Sequence, residues 1–215
     1  MNTEIVDLYN KIGGESYNKR GFSPFSFMIK RQLLARSNLD KGDRVLVLFC
    51  GSGQDFKPIL DVIGEEGEII GVDFSKAMLD VARRNLKQDG INNVTLIEAD
   101  VLTFQDPQFE HSFDAVFCSM GIALNDNPYD VYSRLEQYLK DESQIIIFDL
   151  KYPSTALGKF IYKIIIERIT NHYGGNRLKH IASSGMFHNL IQDKRCRFSR
   201  EYIFGAFFSV ILNRS

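Results

Sequence analysis

The sequence predicts an α/β fold: a doubly wound, mostly parallel sheet with an antiparallel closing strand and a small helical cap. Three observations carry this. Between residues 40 and 150, short apolar runs alternate with helix-like stretches, the pattern of parallel strands joined by crossover helices. The first run, Val45 to Phe49, breaks abruptly into Cys50-Gly51-Ser52-Gly53, as a buried parallel strand does on entering a tight glycine turn. The last two runs, 197–204 and 206–213, are rich in Phe and separated only by a turn, which suits a closing antiparallel pair.

Taken in order, residues 1–40 read as mainly helical, interrupted near Gly13-Gly14 and from Gly21 to Pro24, and they carry Tyr9, Tyr17, Phe22, Phe25 and Phe27. Strands are expected near 44–49, 68–72, 94–98, 113–118 and 144–150. Helices are expected near 54–63, 75–89 and 128–140, with Ser75 at the N-cap position of the second. Right-handed crossovers place these helices on both faces of the sheet. Residues 151–180 interrupt the alternation. Phe160-Ile-Tyr-Lys-Ile-Ile-Ile-Glu-Arg-Ile169 groups Lys163, Glu167 and Arg168 at helical spacing, the pattern of an amphipathic cap helix. Its apolar face, with Phe160, Ile161, Ile164 and Ile165, is expected to turn inward while Lys163 and Glu167 stay in water. The organisation is thus one domain, 1–215, with an amino-terminal helical lid over 1–40 and a cap inserted over 151–180.

A chain of 215 residues, 44% of them hydrophobic, is long enough for one large domain with a full core. A formal net charge of -1 argues against a nucleic-acid partner, which calls for a basic excess. No stretch resembles a signal peptide and no apolar run reaches the length of a membrane span. The three cysteines, Cys50, Cys118 and Cys196, form no CxxC pair. A reduced, cytoplasmic protein without a metal site or a disulfide framework is the expectation. Cys50 reads as a small packing residue rather than a nucleophile.

The candidate site follows from the strand ends. Glycine lets a backbone turn sharply and come close to a ligand where a Cβ would collide. Ligands of open α/β sheets bind outside the carboxyl ends of the strands. Glu68-Ile-Ile-Gly-Val-Asp73 ends on an acid, at about the 20-residue spacing from the glycine loop at which nucleotide-binding folds place an acceptor for ribose hydroxyls. The next strand leads into Ala99-Asp100-Val101, and the fourth into Ser119-Met120-Gly121. All these ends line one edge of the sheet.

In this order, RVLVLFCGSG, IIGVDFSKAMLDVARRN, IEADVLTF, FDAVFCSMGIAL and LEQYLKDESQIIIFDL resemble the class I S-adenosylmethionine (SAM) dependent methyltransferases. The resemblance covers roughly residues 40–150, and IGVDFSKAMLDVARRN is its most specific part. Among subfamilies the chain looks most like the ubiquinone/menaquinone-biosynthesis C-methyltransferases and the related phosphatidylethanolamine N-methyltransferases. Asp7-Leu-Tyr-Asn-Lys-Ile12 is similar to the helix that opens those proteins. The resemblance implies a Rossmann-like methyltransferase fold, SAM as cofactor and a methyl-transfer activity. It places Asp73 on the ribose and Asp100 with Val101 near the adenine. Phe49, Cys50, Gly51, Ser52, Gly53, Phe74, Met78 and Ser119 surround the cofactor, and Tyr17 sits in a lid-like segment that could close over it.

The glycine loop departs from that family's pattern twice. Val47 stands where an acid is usual, and Phe49 where the first glycine is usual. Either another acceptor such as Asp55 takes over from the missing acid, or the domain binds SAM with altered or lost catalysis. An NAD-dependent oxidoreductase fits less well, because the loop lacks the full G-x-G-x-x-G. For the acceptor end, Asp149, Tyr152 and His172 are the candidates for acid, base or orienting roles. Asp149 could instead cap the following segment, and His172 and His180, which flank Tyr173-Gly-Gly175, could be structural. The apolar cap points to a small organic acceptor, apolar or aromatic. A membrane-surface phospholipid or quinone methyltransferase is the alternative. The cap helix could lie on a membrane surface, but more often such a helix covers its own core or a homodimer partner.

Overall fold

The computed structural model describes residues 24–125, 128–166 and 185–214. Their elements run α1 (Pro24–Leu34), β1 (Arg44–Leu48), α2 (Phe56–Ile63), β2 (Glu68–Asp73), α3 (Lys76–Asp89), β3 (Val94–Glu98), β4 (Phe113–Ser119), α4 (Pro128–Leu135), β5 (Leu139–Leu150), α5 (Ala156–Ile161), α6 (Met186–Gln192), β6 (Cys196–Tyr202) and β7 (Phe207–Asn213). The strands form one sheet in the order β3-β2-β1-β4-β5-β7-β6. β1 to β5 pair in parallel, while β7 runs antiparallel between β5 and β6. The expected doubly wound, mostly parallel sheet with an antiparallel closing pair is what forms.

Alternation along each central strand divides the core in two, because successive side chains point to opposite faces. Leu46, Leu48, Ile70, Val72, Val116, Cys118, Ile145 and Ile147 pack on one face. Val45, Val47, Ile69, Ala115, Phe117, Ile146 and Phe148 pack on the other. Helices cover both faces, so these strands read as unbroken apolar runs. Ser75 caps α3 as expected, its side chain accepting from the Met78 N–H at 3.4 Å. Gly90 ends that helix in a left-handed conformation, which suits glycine at this position.

Two elements differ from the sequence reading. The helix expected over 128–140 stops at Leu135; a 3₁₀ turn follows over Glu136–Tyr138, and β5 starts at Leu139. Lys140, Asp141 and Glu142 are exposed, so the apolar signal begins only after them. The cap is the second difference. α5 covers Ala156–Ile161 and passes into a π-helical turn over Tyr162–Ile166. Its inward residues are Gly158 and Tyr162, both buried, whereas Phe160 is 63% and Ile164 46% exposed. Of the face expected to point inward, Phe160 and Ile164 therefore point out and Ile161 is half-buried, because the core takes Gly158 and Tyr162 instead. Lys163 is exposed as expected. The side chain of Ile165, Glu167, Arg168, the rest of the cap to 180 and most of the lid over 1–40 lie outside the described residues.

Candidate functional site: the carboxyl edge around β1 and β4

β1 has β2 on one side and β4 on the other, so the strand order reverses between β1 and β4. That switch point opens a crevice at the carboxyl edge. Four loops meet around it: Phe49–Asp55 after β1, Phe74 and Ser75 after β2, Ala99–Val101 after β3 and Met120–Asn125 after β4.

The glycine loop is fastened from β2. Asp73 is 6% exposed and its carboxylate accepts from the Gly51 N–H at 2.8 Å and the Ser75 N–H at 2.8 Å. Burial raises its pKa to about 6, while these backbone donors and that of Phe74 pull the other way. A carboxylate offers about four lone-pair sites, so Asp73 can clamp the loop and still accept from a ligand hydroxyl. Gly51 and Gly53 have φ of +52° and +79°. Gly53 makes room for the protein itself: a Cβ there would lie 2.6 Å from the Phe56 ring. At Gly51 the nearest atom would be Met78 Cε at 3.7 Å, so this is where the backbone can be approached. Cys50 is buried, and burial pushes its thiol well above the ordinary range; it packs and does not react. Ser52 and Met78 are also buried, and Phe74 is half-buried.

Asp100 sits just beyond β3, half-buried, with its carboxylate accepting from the Leu102 N–H at 2.9 Å. Val101 beside it is buried, and Ser119 closes β4 at 7% exposure. Asp73, Asp100, Val101 and Ser119 thus share the edge that sequence spacing assigned them. Tyr17 and His172 lie outside the described residues.

The two departures in the loop have local explanations. Val47 is 1% exposed inside the core, where it packs among Phe117 and Phe148. Asp55, the suggested replacement acid, is held by Lys30 of α1: Nζ lies 2.7 Å from Oδ1, with both side chains nearly buried. Asp55 precedes α2 but makes no side-chain cap bond, because its carboxylate turns to Lys30. Phe49 has φ of +57°, a conformation costing about 1–2 kcal/mol for a residue with a Cβ. Its side chain lies over Gly121, where a Cβ would come within 2.2 Å of Phe49 Cγ. The glycine missing from the β1 loop has its counterpart at the end of β4. Neither Lys30 nor Gly121 was chosen from the sequence; a pairing across the fold leaves no local signal.

This gives a double-mutant test. Gly121 has φ of -131°, outside the left-handed region, so the main effect of Gly121→Ala is the clash with Phe49. It should cost about 1–3 kcal/mol, as overpacking does, seen as a lower Tm. Phe49→Ala in the same chain should restore much of that loss. Additive losses would show that the two residues do not press on each other.

At the acceptor end, Asp149 does not face an open chamber. It is 0% exposed; one carboxylate oxygen accepts from the Ala123 N–H at 3.0 Å and the other from the Leu150 N–H at 2.7 Å. It fastens the 3₁₀ turn Ile122–Leu124 to β5, a holding role of the kind the sequence left open for it beside an acceptor role. Tyr152 is half-buried beyond β5, its ring 5.2 Å from that of Tyr162 and edge-on to it. Met120, Ile203 and Phe207 complete this apolar cluster.

A methyltransferase-domain family matches residues 39–194. The chain belongs to that family. It is a class I SAM-dependent methyltransferase. Among its curated relatives is the demethylmenaquinone methyltransferase of Staphylococcus saprophyticus, 26% identical over 173 residues that span 80% of this chain and 72% of the relative. A SAM-dependent methyltransferase from Aquifex aeolicus shares the fold with a TM-score of 0.58 at 17% identity, covering 95% of this chain and 96% of its own. So does the arsenic(III) SAM methyltransferase CrArsM from Chlamydomonas reinhardtii, with a TM-score of 0.54 at 21% identity over 86% of this chain and 72% of that one. The residues present fit the cofactor. This methyltransferase keeps an acceptor carboxylate at the end of β2, an approachable glycine at 51 and a second acid beyond β3.

Proposed function

We propose that this methyltransferase acts on an aromatic, quinone-type small molecule. One observation carries the reading: beyond β4 and β5, the half-buried Met120, Tyr152, Ile203 and Phe207 pack around the buried Ala123, Leu150, Tyr162 and Ala206, an apolar and aromatic surface suited to a flat ring. The demethylmenaquinone methyltransferase named above supports the same acceptor class.

When bound, SAM supplies an electrophilic methyl group on a sulfonium. The chain's own part is binding and alignment. Asp73 keeps the loop in place and would accept from the ribose hydroxyls. The Gly51 backbone allows close approach, and Asp100 with Val101 would border the adenine. The Phe49 ring, set against Gly121, would border the cofactor. Held in line for attack and screened from water, the acceptor gains several powers of ten from orientation alone.

The test is methyl transfer from radiolabelled SAM to three acceptors: a reduced demethylated naphthoquinone, a small soluble phenol and phosphatidylethanolamine. Label in the naphthoquinone is the expected result. Label only in the phospholipid would overturn the reading. SAM binding with label in none of them would favour the reading in which Val47 and Phe49 mark a cofactor-binding domain with lost catalysis.

A further inference from the structure

We propose that α5, its π-helical extension and the β6–β7 turn form a surface that docks on an anionic lipid bilayer. Large exposed apolar side chains gather there. Phe160, Phe204 and Leu157 are 63%, 58% and 57% exposed, more than any other large apolar side chain among the described residues, and Ile164 adds 46%. Leu157, Phe160 and Ile164 stand three and four residues apart, so they share one helix face. The β6–β7 turn that carries Phe204 packs against the inner side of the same helix, where a Cβ on Gly158 would lie 2.4 Å from the Phe204 carbonyl oxygen.

This face is held outward. Tyr162, on the opposite side, is 1% exposed and packs edge-on against Tyr152, so the helix is anchored through its inner face. At the turn, Ile203 and Phe204 have φ of +47° and +54°, two consecutive left-handed residues where Asn-Gly would be easier. The turn keeps a large apolar ring at its tip at a conformational cost. A site of that kind invites a functional explanation.

Charge selects the occupant. From Ala156 to Ile166 the chain carries Lys159 and Lys163 and no acid, and both lysines are exposed. The nearby Lys151 is neutralised by Glu201 at 2.7 Å. Apolar side chains with flanking lysines match a bilayer with anionic headgroups: the rings and branched chains enter the acyl boundary while the ammonium groups stay among the headgroups. No helix among the described residues is long and apolar enough to cross a membrane, so contact would be from the surface. α5 follows β5 directly and is anchored through the Tyr152–Tyr162 pair. The docking stands on this geometry and does not require the quinone reading.

Flotation of the full chain with vesicles tests it. Vesicles of phosphatidylcholine containing a minority of phosphatidylglycerol should carry the protein at low salt, and pure phosphatidylcholine should carry much less. Lys159→Gln with Lys163→Gln should weaken binding by about 30-fold, the factor two lysines supply at such a surface. Phe160→Ser with Phe204→Ser should release the protein from either vesicle. Both pairs are exposed, so Tm and SAM binding should hold in the same samples. Wild-type protein left unbound by anionic vesicles would overturn the proposal, as would lysine variants that bind as wild type does. A dimer in size-exclusion chromatography that Phe160→Ser dissociates would show instead that a second copy covers this face.

Discussion

Asp73→Ala should weaken SAM binding by at least a hundredfold and lower the Tm. The ribose contact alone, a hydrogen bond to a charged group, is worth about 1.5–3 kcal/mol, or roughly tenfold to a hundredfold. The structure adds a second loss, because the same carboxylate holds the Gly51 and Ser75 N–H groups. Two donors left without their acceptor release the loop that must approach the cofactor. The pH dependence has a definite sign. Asp73 titrates at about 6 rather than at its ordinary value of 3.8, and ribose hydroxyls prefer the ionised form. Binding therefore draws the proton off, and affinity should fall by about tenfold from neutral pH to near pH 5. The stability of the cofactor-free protein runs the opposite way. The folded state holds its proton more tightly than the unfolded chain, so the contribution from Asp73 is full below the ordinary carboxylate pKa and is lost as pH rises through 6. Isothermal titration across pH checks the first part and thermal melts the second. Unchanged SAM affinity in Asp73→Ala would remove Asp73 from the ribose.

The strands and caps were legible because their signals are local. Val94–Glu98 forms where its β-branched run predicted. Ser75 caps α3 through a bond spanning three residues. Asp73, Asp100 and Ser119 reach one edge because the alternation fixed a parallel sheet, and a parallel sheet brings its carboxyl ends together. Illegible features depend on distant partners. Phe49 has a left-handed φ, and its ring fits only where Gly121, on another strand end, leaves room for it. Asp55 is spoken for by Lys30, a residue 25 positions earlier on another helix. The apolar spacing after Phe160 gave a regular helix with its face inward. The core takes Tyr162 and leaves Phe160 and Ile164 outside, and in a run this apolar the spacing alone does not mark which face is buried. Asp149 looked like a residue beyond the sheet because only its position was readable, and the two backbone donors that absorb its carboxylate were not.

Asp149→Ala should therefore fail as a fold variant before it fails as a catalytic one. The carboxylate is 0% exposed and joins β5 to the turn at Ala123. Removing it leaves the Ala123 and Leu150 N–H groups buried without their acceptor, at about 1–3 kcal/mol each. A few kcal/mol in a chain of this size corresponds to a fall in Tm of roughly 10 °C. Burial raises the Asp149 pKa to about 6, so its ionised form is costly in the folded protein. Its favourable contribution is full below the ordinary carboxylate pKa and disappears as pH rises through 6. Wild-type stability should accordingly decline over that window, and Asp149→Ala should lose part of the decline. Asp149→Asn separates the two roles further. It keeps one acceptor oxygen and cannot titrate, so a positioning residue predicts a modest Tm loss and an unchanged pH profile of methyl transfer in single-turnover measurements. A pH–rate limb near 6 that vanishes in Asp149→Asn, with the fold intact, would return Asp149 to the chemistry.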